Sequence, residues 1–285
     1  MSSFFYLTLS ILFSSVVALT MKAANAGKVP FWPLLGINYL VCTICLLAWG
    51  GAQTLESNTP LTWGLSVFIG TMFVFCLWLF NKAISAQGLA LSTTLMRLSA
   101  VIPTLGSLFF FSEATTFCQL IGIGLAFLSL PLAGREPIQF NMAGKKAFRG
   151  IMWGLFLFVA YGITDFMFKV QAEFVPSVDP KAFMSGIFAT ALILTLPCLK
   201  NGRPPLISGL LWGVILGFSN LLATYFWIRT LQNIPGSVAY PTLGIGIILT
   251  TTLVSQMLWK EKLRPANYLF LILACVAVVF INSGG

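Results

Sequence analysis

The chain has no histidine and only seven acidic residues, against sixteen Lys and Arg. Charged side chains of every kind make up 8% of its 285 residues, where soluble domains carry roughly 25%. That is far too little polar surface to cover a water-soluble globule. The same scarcity leaves the chain poorly equipped as a membrane-embedded enzyme, which needs buried acid/base pairs or metal ligands. Dense basic runs are missing too. The net charge of +9 is spread over loops, so nucleic acid is not an expected partner. The six cysteines (Cys42, Cys45, Cys76, Cys118, Cys198, Cys275) lie in or at the ends of apolar runs and read as small core residues. Cys42 and Cys45 form a CxxC inside an apolar run, with no second pair, so neither a metal nor another cofactor is expected.

What remains is apolar. Ile, Leu, Val, Phe and their like supply 58% of the chain, and a bilayer-crossing helix needs about 20 mostly apolar residues. Ten such windows occur, at about 3–21, 33–50, 61–80, 88–111, 115–133, 149–169, 181–198, 207–228, 236–258 and 264–282. This predicts an all-α transmembrane protein of ten helices. Breaks carry turn residues, as at Ser57-Asn58-Thr59-Pro60 and Pro176 to Pro180. The first window ends near Ala24-Asn25-Ala26, which resembles a signal-peptide cleavage site. No positive charge precedes it, however, and Met21-Lys22 lies 147 residues before Phe168-Lys169. It is therefore read as the first helix.

The chain also repeats itself. Shifted by 148, Gly236, Thr242, Leu243, Thr252, Leu253, Ser255 and Glu261 fall on Gly88, Thr94, Leu95, Thr104, Leu105, Ser107 and Glu113. Such periodicity marks related structural units. The expected organisation is a five-helix repeat over 1–134, a cytoplasmic linker over 135–147 and a second five-helix repeat over 148–285. Five is odd, so the second copy enters the bilayer from the opposite side, and the two repeats are inverted. Loops after odd-numbered spans hold Lys22, Lys28, Lys82, Arg135, Lys145, Lys146, Arg149, Lys200, Arg203, Lys260, Lys262 and Arg264; the other side holds Lys169, Lys181 and Arg229. The positive-inside rule then puts both termini outside the cytoplasm, in a cell (inner) membrane.

Ten helices as five plus five, with Gly88, Pro103, Glu113, Gly122 and Gly134 in one copy and Gly236, Pro241, Glu261 and Gly284 in the other, resemble the drug/metabolite transporter superfamily, EamA type. The match is architectural. The second copy has Thr251 where the first has Pro103, so kinks are expected to differ between copies. The resemblance implies a secondary transporter without ATPase domains. It also implies a cavity lined by the first, third, fourth, sixth, eighth and ninth helices, with the fifth and tenth as scaffold. Short relatives of one half export drugs through a buried Glu in their first helix. Here that helix offers Ser14, Ser15 and Thr20 and no acid.

Charges inside bilayer helices are costly and mark functional candidates. Two qualify, Arg97 and Asp165. Arg97 is about 13 Å from the cytoplasmic boundary by residue counting and could pair with a carboxylate or phosphate of the cargo; the alternative is a structural Arg bonded to carbonyls. Asp165, counted at about 24 Å, is a candidate coupling carboxylate or a partner for Lys169 one turn on. The counted depths differ by about 10 Å, so they meet directly only if the helices tilt. Asn220 offers a cargo or an interhelical hydrogen bond. Trp78 and Tyr225 are candidates for lining the cavity or for the interfacial aromatic belt. Tyr240 and Thr242 flank Pro241, which frees a carbonyl in the preceding turn. Ser14 and Ser15 complete the substrate-binding candidates. Gly244 and Gly246 are read as allowing close helix packing, and Glu113 and Glu261 as serving the N-termini of the helices they precede.

The expected function is a secondary transporter of a small polar or amphipathic metabolite by alternating access, with Asp165 as the candidate residue should transport be coupled to protons. The alternatives are a passive channel and an accessory membrane subunit. The expected partners are a small-molecule substrate and the lipid bilayer; a monomer and a homodimer both fit the sequence.

Overall fold

The computed structural model describes residues 3–50, 59–87, 89–133, 145–199, 207–259 and 265–282. Most of the linker, Gly88, Gly134, Gly284, Glu261 and the loop cations Arg135, Lys200, Arg203, Lys260, Lys262 and Arg264 lie outside the described residues. All regular structure described is helical: α1 (Ser3–Ala26), α2 (Phe31–Gly50), α3 (Pro60–Gln87), α4 (Leu89–Leu98), α5 (Val101–Phe109), α6 (Phe117–Ser129) with a 3-10 turn at Leu130–Ala133, α7 (Lys145–Phe174), α8 (Pro180–Leu199), α9 (Ile207–Leu231), α10 (Gly236–Trp259) and α11 (Pro265–Asn282). Among the described residues, seven helices are long and apolar enough to cross a membrane. Phe117–Leu132 and Pro265–Ile281 are shorter apolar helices.

Each of the ten sequence windows holds helix, with one change of form. The fourth is two helices, α4 and α5, parted at Ser99-Ala100. Pro103 explains the break: its ring would clash with the Ser99 carbonyl four residues back, whereas a proline is tolerated in the first turn of a new helix. Local bonds finish the joint, from Ser99 Oγ to the Met96 carbonyl (2.6 Å) and from Thr104 Oγ1 to the Ala100 carbonyl (2.7 Å). Pro241 lies inside α10 without dividing it.

Backbone polar groups have no water to bond inside a bilayer, so helices satisfy them internally. Hydroxyls here do the same. Ser15, Thr43, Thr104, Thr164, Thr195, Thr230 and Thr251 each donate to the carbonyl four residues back in their own helix. Large apolar side chains such as Phe109, Phe117, Leu128 and Met257 are exposed, as expected where the solvent is lipid.

The chain folds as two compact units, and each draws on both ends of the sequence: Met1–Val74 with Val170–Asn233, and Phe75–Lys169 with Ile234–Gly285. In the first unit, α1 packs on α9, and α2 packs on both α8 and α9. Polar cross-links stitch these contacts: Ser10 Oγ to the Ala223 carbonyl (3.3 Å), Cys42 Sγ to the Gly217 carbonyl (3.2 Å) and Ser66 Oγ to the Phe183 carbonyl (3.0 Å). The segment weighed as a signal peptide is thus helix through Ala26 and packed. Cys42 is the small buried donor its surroundings suggest.

In the second unit, α11 packs on α6 and its 3-10 turn, and α10 packs on α5, α6 and α11. Phe270, Ala274, Ala277 and Ile281, spaced on one helical face, are fully buried. Asn267 Nδ2 donates to the Leu132 carbonyl at 3.1 Å. A core of Cys76, Leu79, Ala83, Leu157 and Ala160 joins α3 to α7, with Met96, Trp153 and Tyr161 packed against it. This core supports the charged residues described next.

Candidate substrate site

Arg97 occupies the last turn of α4, where unsatisfied carbonyls favour a cation. It is half-buried. Its guanidinium makes no hydrogen bond and no ion pair within 4.0 Å among the described residues. It lies within electrostatic reach of Asp165 and Tyr161, one turn apart on α7. The Asp165 carboxylate is likewise half-buried and without a hydrogen bond or ion pair among the described residues. Two opposite charges therefore face each other in a low-dielectric setting without closing into a pair. An arginine offers five donors in a planar fork, and none of these is used among the described residues.

Arg97 and Asp165 lie within electrostatic reach of each other, although their counted depths differ by about 10 Å, and no direct ion pair closes between them among the described residues. α7 is 30 residues long, about 45 Å, against a hydrocarbon core of about 30 Å, so counting from its start is a poor measure of depth. The alternative pairing of Asp165 with Lys169 is overturned. Lys169 Nζ pairs with Glu113 at 2.7 Å.

α10 approaches the same part of α7. The Tyr240 hydroxyl, 2% exposed, donates to the backbone carbonyl of Asp165 at 2.6 Å. Thr242 is 8% exposed and its Oγ1 has no hydrogen-bond partner among the described residues, an unmet demand beside Pro241. Gly244 does not pack closely, contrary to the sequence reading: a Cβ there would meet nothing within 4 Å. It shares a helical face with Tyr240, so this face of α10 stays open one turn beyond the tyrosine.

Glu113 serves a helix N-terminus, but not that of the helix it precedes. Thr116 and Gln119 already form a capping box on α6 (2.9 and 3.3 Å). Glu113 instead accepts from the Gly236 and Ser237 amides of α10, both at 2.8 Å. The Val238 amide bonds the Pro235 carbonyl at 3.1 Å, Ala239 makes the first regular helical bond to the same carbonyl (2.9 Å), and Pro235 has no N–H, so the orphan donors of that helix start are satisfied. Burial pushes the Glu113 carboxyl up, but the Lys169 ammonium and the two amides outweigh it and hold the group below its ordinary range.

The other candidates divide between the units. Trp78, in the second unit, is 39% exposed, stacks on Phe75 at 5.8 Å, meets Trp153 edge-on at 5.7 Å and carries Lys82 Nζ 5.7 Å from its ring. Ser14, Ser15, Asn220 and Tyr225 lie in the first unit. Asn220 Nδ2 donates to Asn38 Oδ1 at 3.3 Å, so the interhelical alternative holds for it. Ser15 is spent on the Ile11 carbonyl (2.7 Å). Tyr225 packs on Trp49 at 5.1 Å beneath the Arg229 guanidinium at 5.7 Å. Ser14 is half-buried. Sequence reasoning missed Tyr161, Asn38 and the Glu113–Lys169–α10 contact. Only the co-registered Gly and Glu of the repeat hinted at the last.

Comparison with known proteins agrees with this architecture. Residues 148–283 match the EamA-like transporter family. The chain is 43% identical over 86 residues to the probable 4-amino-4-deoxy-L-arabinose-phosphoundecaprenol flippase subunit ArnE of Erwinia tasmaniensis, covering 28% of this chain and 73% of that one. It is 34% identical over 68 residues to the quaternary ammonium compound-resistance protein QacH of Staphylococcus saprophyticus, covering 24% of this chain and 63% of that one. A protein of known crystal structure superposes over 99% of this chain and 96% of its own with a TM-score of 0.82 at 17% identity, a likeness of fold alone. An all-helical chain of apolar spans with these relatives is a membrane transporter, and it belongs to the EamA-like transporter family of the drug/metabolite transporter superfamily.

Proposed function

We propose that this chain is a secondary transporter that binds a small polar or amphipathic metabolite between Arg97 and Asp165 and moves it by alternating access. One observation carries the reading: a half-buried guanidinium with no hydrogen bond or ion pair among the described residues, facing a carboxylate that is equally unpaired. Leaving such groups unmet in a low dielectric costs several kcal/mol per ion, and a cargo that supplies an anionic group to Arg97 removes much of that cost. Thr242 offers one more donor. Asp165 is the candidate for coupling to protons. The break between α4 and α5 beside Arg97 follows the discontinuous-helix pattern of transporter sites. The duplicated halves, 1–134 and 148–285, remain a reading of sequence register: shared ancestry and packing units are separate properties. Both termini are proposed to lie outside the cytoplasm.

The cargo class is approached through the relatives. One is named for an amino sugar linked through phosphate to undecaprenol, which carries both an anionic phosphate and an amine. The other is named for quaternary ammonium compounds, which would call on Asp165 rather than Arg97. A thermal-shift panel of anionic, cationic and zwitterionic metabolites on purified protein, repeated on Arg97→Ala and Asp165→Asn, separates these. Hits are then tested for counterflow in proteoliposomes. Anions that stabilise the parent and Arg97→Ala equally would remove Arg97 from the site. Ligand stabilisation without saturable counterflow would favour the accessory-subunit reading.

A further inference from the structure

The second unit is fastened at one end by three tiers of contacts among α5, α7 and α10. The outer tier is the Glu113 carboxylate, which holds Lys169 Nζ at 2.7 Å and the α10 amides of Gly236 and Ser237 at 2.8 Å each. The middle tier is aromatic. Phe110 and Phe111 flank Phe166 at 5.9 and 5.8 Å, and Lys169 Nζ stands 5.8 Å from the Phe111 ring. The inner tier is the Tyr240 hydroxyl on the Asp165 carbonyl at 2.6 Å. Asp165 and Lys169 are one helical turn apart, so the stack runs along α7 and ends on the residue that carries one charge of the Arg97–Asp165 site.

The outer tier is built to be reversible. Glu113 sits on the loop between α5 and α6, beyond the helix end, and reaches α10 through a backbone turn. Ser112 adopts a left-handed conformation (φ 51°) and the Glu113 amide bonds back to the Ser107 carbonyl at 3.3 Å. That closure spans seven residues, one more than the usual glycine-capped helix end, and a non-glycine residue in the left-handed region is strained. The turn is thus held in part by what Glu113 grips. The seat is tight: a Cβ on Gly236 would crowd the Ser107 side chain and force it to shift. Ser107 is fully buried and its Oγ has no hydrogen-bond partner among the described residues, a polar atom shut away from water while α5 and α10 are closed together.

We infer that Glu113, clamped between Lys169 and the α10 N-terminus, is the latch of a gate that closes this end of the unit over the substrate site and releases when α10 swings from α7 and α5. It rests on the reading of Arg97 and Asp165 as that site, because a gate needs something to cover. The latch works by count: one carboxylate gathers three charge-assisted bonds from two helices, and all three are lost together when it lets go.

The test reads gate position rather than transport. Ser107→Cys is placed in a cysteine-free chain and labelled with a membrane-impermeant maleimide in proteoliposomes; Ala83→Cys, buried in the α3–α7 core, serves as the control. Glu113→Gln keeps the shape of the side chain and removes its charge. It should raise the Ser107→Cys labelling rate about tenfold by shifting population toward the open state, with Ala83→Cys unchanged. Lys169→Gln leaves the two amide bonds and should give a smaller increase. Glu113→Lys with Lys169→Glu restores an ion pair but sets an ammonium against the α10 amides, so it should remain open. Unchanged Ser107→Cys labelling in either folded single variant overturns the latch. So does a parallel rise at both cysteines, which signals general loosening, and so does full closure in the charge swap. A failure of Arg97→Ala to alter ligand binding would instead remove the site and leave these labelling results standing.

Discussion

Tyr240 and Asp165, 75 residues apart in sequence, are joined by a 2.6 Å hydrogen bond from the phenol to a main-chain carbonyl. The carbonyl belongs to the residue whose carboxylate faces Arg97. The α7–α10 contact therefore positions one charge of the candidate site through its backbone and does not engage the carboxylate.

Tyr240→Phe should remove that bond while keeping the ring buried. The expected loss is about 1 kcal/mol, read as a lower midpoint of thermal unfolding in detergent, together with weaker binding of any ligand whose stabilisation depends on Asp165. Unchanged ligand binding would detach the phenol from the site.

Ser112→Gly should stabilise the protein. The left-handed backbone (φ 51°) costs a non-glycine residue roughly 1–2 kcal/mol, and the greater freedom of glycine in the unfolded chain returns part of it. A gain of about 0.5–1 kcal/mol is expected. A lower melting midpoint would show that the Ser112 side chain contributes more than its backbone costs.

The Glu113 carboxyl has a folded-state pKa below its ordinary value of 4.5. The unfolded state therefore binds the proton first as pH falls. The stability this group contributes is fully present above pH 4.5 and is lost as pH drops through the depressed folded value. The parent should outlast Glu113→Gln at pH 6, with the gap in unfolding midpoint closing toward pH 3. A gap that widens with acid would reverse the sign and sink the assignment.

Asn220 and Asn38 should be coupled. A double-mutant cycle with alanine at each is expected to give an interaction of about 0.6 kcal/mol, the average for interhelical bonds in a membrane protein. Asn220→Ala should leave ligand-induced stabilisation unchanged. Loss of ligand response in Asn220→Ala alone would return that amide to the substrate-binding residues.

Much of the architecture was legible in the residues. A chain with 8% charge has to hide its backbone in lipid, and apolar windows of helix-spanning length mark where it does so. Pro103 marked the fourth window for a kink, and the structure makes it a full break because the ring excludes the Ser99 carbonyl from a continuous helix. Arg97 and Asp165 stood out because a charge in a bilayer helix is expensive wherever it points. Their proximity was not legible. It depends on how α7, about 45 Å long by its 30 residues, is placed across a thinner core, and residue counting has no access to that. Glu113 shows the same division. Its repeat register with Gly236 and Glu261 was plain, but Thr116 and Gln119 are the local pair that caps α6, and this leaves the carboxylate for a helix start 123 residues away.

The sequence was enough to show that this protein lives in a membrane and that its spans are helical, because each follows from transfer free energy and helix period. Only the tertiary structure decided which charges meet. Lys169 left Asp165 for Glu113 because a carboxylate already anchored by two amides is a better-prepared partner than one turn of the same helix. Asp165 was thereby left facing Arg97.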